Sequence, residues 1–122
     1  MSGPLKFCTV VRQPPIGSRD SLEAIRFSMG VTLLGNVVET YVVLEGDGVF
    51  HALDKLPEKV LNRDTSRINV VDSIDFDGQI YAVQEDLAAR GLSEKDLIPG
   101  VKVIPARQVA ELVSQANTTH FM

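Results

Sequence analysis

A chain of 122 residues with 44% apolar content has room for one domain and one core, and a domain of this size buries roughly two-thirds of its unfolded surface without a metal or disulfide staple. Its net charge of −4 and pI near 5.1 argue against nucleic acid or an anionic membrane as the main partner, because phosphate binding needs a basic patch. Cys8 stands alone, which excludes an internal disulfide, a CxxC pair and a cysteine-based zinc site.

Met1 to Lys6 contains no long apolar run after a basic stretch, so no signal peptide is expected. No apolar stretch approaches the roughly 18 residues of a membrane span. The expectation is a cytoplasmic protein with a single domain over residues 1–122.

Phe7-Cys8-Thr9-Val10-Val11 reads as a buried first strand. Pro14, Pro15 and Gly17 cannot continue a ladder, so residues 12–19 form a loop at its C-terminal end. Asp20, with Glu23 three residues on, has the spacing of a capping box. Leu22, Ile25, Met29 and Leu33 then recur at helical spacing, which predicts a helix over residues 21–34 that stops at Gly35-Asn36. The valine-rich run 37–44 is a second strand. Asp47 reads as the N-cap of a short helix over 49–53, and residues 55–62, with Pro57 among them, read as an exposed connector. Ile68, Val71 and Ile74 point to a helix within 63–74, although β-branched residues weaken helical propensity. A turn at 75–78 leads into a third strand over 79–83. A helix over 84–90 follows, with Glu85 and Asp86 at its positive end and Gly91 as its stop, then a helical turn at 93–97. A fourth strand at 101–104, a helix opened by Pro105 and running to Ala116, and a fifth strand at 118–122 complete the chain.

This order implies an α/β fold, an open and mostly parallel five-stranded sheet with helices on both faces. Ligand sites in such sheets lie beyond the carboxyl ends of the strands, here the loops 13–19, 45–48 and 83–86.

Asp47-Gly48-Val49 followed by Phe50 comes after the second strand, and Ile80-Tyr81-Ala82-Val83 is followed by Leu87-Ala88-Ala89-Arg90-Gly91-Leu92. With the Pro/Gly-Ser loop after the first strand and the closing helix and strand, these segments make nearly the whole chain resemble the DsrE/DsrF-like family, most of all its DsrF and TusC branch. No single motif is specific, and the resemblance rests on order and spacing. It implies assembly into trimers or hexamers, homo- or hetero-oligomeric, with DsrE-like subunits. It also implies a part in persulfide transfer, serving tRNA 2-thiouridine synthesis in TusBCD-type complexes or sulfur oxidation in DsrEFH-type ones. Catalytic members are implied to carry a cysteine between the third strand and the next helix, where a helix N-terminus holds a thiol as its thiolate. Aligning on Arg90-Gly91 puts Val83 at that position, and residues 79–88 contain no cysteine.

Each candidate residue has a plain reading beside the functional one. Cys8 lies mid-strand in an apolar run, where a free cysteine usually behaves as a small buried hydrophobe, and its neighbours offer no activating base. Gly17-Ser18-Arg19 could bind a small anion at a helix start, with Arg19 supplying charge, or be ordinary loop and capping chemistry. The Gly-Lys-Ser/Thr element of a phosphate loop is missing. Asp47 and Gly48, with Val83 and Gln84, would line the mouth at the sheet's carboxyl edge, Asp47 alternatively serving only as a cap. Glu85 and Asp86 are adjacent and do not face each other as a paired-carboxylate site would, so their interaction with the helix dipole explains them. His51 and His120 suggest no third metal ligand and read as surface or packing residues. No metal, cofactor, nucleic acid or membrane contact is expected. The leading expectation is a non-catalytic subunit of a sulfur-relay assembly that contributes interaction surface. The alternatives are a sulfur carrier using Cys8 and a small-molecule or anion-binding module of the same fold.

Overall fold

The structure, a computed structural model, describes residues 5–14, 19–32, 38–54, 67–76 and 78–121, with the side chains of 19–23 and 67–69 outside that description. The β-branched runs form strands β1 (Leu5–Val11), β2 (Val38–Leu44), β3 (Gln79–Val83), β4 (Lys102–Ile104) and β5 (Thr118–Phe121). Between them lie helices α1 (Arg19–Thr32), α2 (Arg67–Asp75), α3 (Gln84–Ala89) and α4 (Arg107–Gln115), with 3-10 segments at Gly46–Ala52 and Glu94–Asp96. The strands make one sheet in the order β4-β3-β2-β1-β5, and every pair in it is parallel. The expected five-stranded α/β sheet is therefore present and wholly parallel. Parallel neighbours cannot be joined by hairpins, which is why a helical crossover separates successive strands.

Alternation along the strands divides the core in two. Val11, Val42, Leu44, Ile80 and Ala82 meet Ala24 and Ile25 of α1, Val70 of α2, and Val49 and Ala52 of the 3-10 segment. Cys8, Val10, Val43 and Val83 form the core of the opposite face, with Tyr41, Tyr81, the α4 residues Val109, Leu112 and Val113, and Ala116 just beyond α4 packed partly against them. The two faces are covered unequally, since no residue of α4 is fully buried.

Local differences from the sequence-based expectations have identifiable causes. The helix α1 (Arg19–Thr32) already includes Asp20, so Asp20 does not stand ahead of the helix as a cap, and its side chain lies outside the described residues. Of the residues expected to face the sheet, Ile25 is fully buried and Met29 half-buried, while Leu22 and Leu33 lie outside the described side chains. The stop at Gly35-Asn36 and the connector at 55–62 also lie outside the described residues. In α2, Val71 and Ile74 are half-buried, Val70 and Ser73 are buried, and the Ile68 side chain lies outside the described residues. The turn at 93–97 is closed by a reciprocal cap between Ser93 and Asp96, the capping-box chemistry the sequence pattern had placed at Asp20.

Candidate functional site

The carboxyl edge of the sheet is built by laying one segment across another. The Glu45 N–H donates to the Val11 carbonyl at 3.0 Å, which turns the chain leaving β2 over the end of β1. Gly46 takes a left-handed φ of 55° there. Gly48 then passes so close to β1 that a Cβ on it would stand 2.0 Å from the Val11 carbonyl oxygen. Only glycine fits this crossing. The 3-10 segment that follows buries Val49, His51 and Ala52. The His51 Nε2 lies 3.0 Å from the Gln13 carbonyl oxygen, and because a carbonyl can only accept, that nitrogen carries the proton. Burial pushes the His51 pKa down to about 4, with the Gln13 contact opposing it, so the ring is neutral at physiological pH.

The acidic residues of this rim tie elements together. Asp86 accepts the Gly46 N–H at 2.8 Å. Arg90 reaches from the end of α3 to Asp47 through Nε and Nη2, at 3.1 and 2.9 Å, and its Nη1 donates to the Asp86 carbonyl at 3.0 Å. Both Glu85 carboxylate oxygens accept the Ala106 N–H at the entry to α4, at 3.0 and 3.1 Å. Arg12 pairs with Glu45 and lies 5.1 Å over the Phe121 ring. Asp47 is therefore the partner of Arg90 and not the expected N-cap: the 3-10 segment starts one residue earlier, and its first turn has no side-chain cap. Among the described residues of the rim (12–14, 45–48, 83–86, 105 and 106), none is a cysteine, serine, threonine or lysine.

Four of the seven expected pocket residues come together here, because the segment carrying Asp47 and Gly48 packs against β3 and α3, which carry Val83 and Gln84. Gln84 is exposed at the start of α3. Val83 is 1% exposed and belongs to the core beneath α4, so it is a packing residue more than a lining one. Gly17 and Ser18 lie outside the described residues, and Arg19 is described only as the first residue of α1. Cys8 is fully buried in the same cluster as Val83, and desolvation pushes its thiol up to about 11. A neutral buried thiol is a poor nucleophile. The sequence reading misses Arg90, whose Arg-Gly context signals only a helix end. It also misses the Tyr41–Tyr81 pair, which two tyrosines in otherwise aliphatic strands could have signalled. Among the described residues there is no group of three or more His, Cys, Asp or Glu side chains able to hold a metal, and no helix is long and apolar enough to cross a membrane.

Comparison with known proteins agrees with this architecture. The family model described as DsrH like protein matches residues 32–119. A protein TusC homolog from Vibrio parahaemolyticus is 32% identical over 78 residues, which make up 62% of this chain and 65% of that relative. This chain is also similar in fold to the ychN protein from E. coli, with a TM-score of 0.85 at 17% identity over 97% of this chain and 99% of that one. A protein of unknown function, MTH1491 from Methanobacterium thermoautotrophicum, matches with a TM-score of 0.70 at 17% identity, over 93% of this chain and 96% of its own.

Proposed function

The chain belongs to the DsrH-like protein family, and from that premise we propose that it is a non-catalytic subunit of a sulfur-relay assembly, supplying surface and geometry to a cysteine-bearing DsrE-like partner. The observation that carries this reading is the state of Cys8. The chain's only thiol is fully buried among Val10, Val43 and Val83, and its pKa is raised to about 11 by desolvation. Persulfide transfer requires a thiolate that a second sulfur centre can reach, and Cys8 meets neither condition.

The rim supports the same reading. In the family resemblance the reactive cysteine falls at Val83, at the junction of β3 and α3. Here the acids after Val83 serve as ties, Glu85 to the entry of α4 and Asp86 to the Gly46 N–H. Two carboxylates at this junction would also raise the pKa of a thiol placed beside them. The relay reading carries with it a cytoplasmic location, assembly with DsrE-like subunits into a trimer or hexamer, and a supporting part in tRNA thiolation.

The test is to co-express the chain with a cysteine-bearing DsrE-like subunit and measure both complex formation and persulfide transfer. Wild-type protein and Cys8→Ala should assemble equally and support equal transfer, and the isolated chain should gain no sulfur mass after incubation with a persulfide donor. A folded Cys8→Ala variant that assembles but stops transfer would overturn the proposal, as would a stoichiometric sulfur adduct on Cys8.

A further inference from the structure

The strand order dictates how far α4 can cover its face of the sheet. It leaves the C-terminal end of β4, at one edge, and must deliver the chain to the N-terminal end of β5, at the other. It therefore crosses the sheet diagonally. Its nine residues span about 14 Å, against about 19 Å across five strands. A single helix, about 10 Å thick, leaves the opposite corners of that face open, and α4 is the only helix among the described residues that joins this core cluster. All-parallel sheets are ordinarily covered on both faces.

The corner at the N-terminal ends of β2, β3 and β4 is organised as a row. Tyr41 and Tyr81 stack with ring centroids 6.3 Å apart and planes inclined by 27°. At one end the exposed Glu39 accepts the Tyr41 hydroxyl proton at 2.6 Å. At the other end the exposed Lys102 lies 6.0 Å from the centre of the Tyr81 ring and donates to Gln79. One flank of each tyrosine rests against the core under α4, and both rings stay partly open.

Along a diagonal of this face, from Glu39 and Tyr41 on β2 through Tyr81 on β3 to Lys102 on β4, the row runs acid, tyrosine, tyrosine, base. Such a row is self-complementary. A two-fold axis in the contact plane, through its middle, turns each tyrosine onto the partner's other tyrosine and Glu39 onto the partner's Lys102, the isologous pattern of a two-fold dimer.

We propose that this corner is a homotypic docking surface whose occupant is the same corner of a second copy of the chain, an inference that rests on the reading of the chain as an assembly subunit and names where two copies join. Sedimentation equilibrium of the purified chain tests it. Wild-type protein should self-associate, and Glu39→Lys or Lys102→Glu alone, each setting like charges together twice, should weaken association by about tenfold or more. The double variant E39K/K102E should recover wild-type association, and so should an equimolar mixture of the two single variants. Recovery in the mixture separates a lost contact from a lost fold. Wild-type protein that stays monomeric to about 100 μM, or dimers indifferent to both reversals, would overturn the proposal. Monomeric wild-type chain that a DsrE-like subunit still captures would sink this surface alone, whereas loss of that capture would sink the subunit reading.

Discussion

Replacing Gly48 by alanine tests the crossing of two chain segments on which the carboxyl edge is built. The new methyl carbon would lie 2.0 Å from the Val11 carbonyl oxygen and 2.8 Å from its carbon, where about 3.3 Å is a comfortable C···O approach. Overpacking by one methyl costs about 1–3 kcal/mol even when neighbouring side chains can yield. Here the obstacle is main chain, in the strand that pairs with both β2 and β5. Moving the Val11 carbonyl also weakens the bond it accepts from Glu45, worth about 1 kcal/mol. The expected loss is about 3 kcal/mol, or about 10 °C in Tm for a domain of this size. Gly30→Ala is the internal control: nothing lies within 4 Å of its added Cβ on α1, so the same chemical change should stabilise by about 0.5–1 kcal/mol. Urea unfolding followed by circular dichroism measures both. The midpoints should move in opposite directions with unchanged slope, and a Gly48→Ala midpoint equal to that of wild type would refute the steric reasoning.

Cys8 should resist a thiol reagent at pH 8 in native protein and react fully in urea, and rapid labelling without unfolding would contradict its burial. The His51 pKa is lowered to about 4 from 6.5, so between these values the unfolded chain binds the extra proton. The resulting stability is fully present above about pH 6.5 and is lost as pH falls toward 4, about 3 kcal/mol in all. His51→Gln should remove that part of the slope from a plot of Tm against pH, and parallel wild-type and variant curves would exclude it. Arg90→Ala should cost about 1 kcal/mol, and a double-mutant cycle with Asp47→Ala should show positive coupling between the two positions, with strict additivity counting against the pair.

How much the sequence reveals depends on whether the deciding interaction is local. Strand β3 is legible to the residue because Gln79–Val83 is bounded by a Gly turn before it and helix-forming acids after it. The sheet is legible as parallel because helical patterns separate the strands. Its order is not, since nothing local in Thr118–Phe121 says that it pairs with β1. Asp47 is misplaced for the same reason: cap spacing is local, but the start of the 3-10 segment is set by Gly48 crossing Val11 and by Arg90 reaching Asp47 from 43 residues away. Of the candidate site, the clustering of Asp47, Gly48, Val83 and Gln84 follows from topology alone. The inward position of Val83 depends on side-chain packing, and alternation along the strand puts it on the face of Tyr81 and Cys8.

The pairing of β5 with β1 also bears on how the chain is made. The Asn117 side-chain carbonyl accepts the Lys6 N–H at 2.7 Å, and its own N–H donates to the Lys6 carbonyl at 2.8 Å, a contact that closes over 111 residues. As the polypeptide emerges from the ribosome, β1 can pair with β2 early, yet its other edge stays bare until Thr118–Phe121 has been synthesised. Contacts of such high order form slowly because the loop must close before they repay it. A nascent or truncated chain ending before Thr118 would display the bare rim of β1, with Phe7 beside it, as a template for a foreign strand. The edge strand β5 thus acts as a late seal on the earliest strand of the sheet.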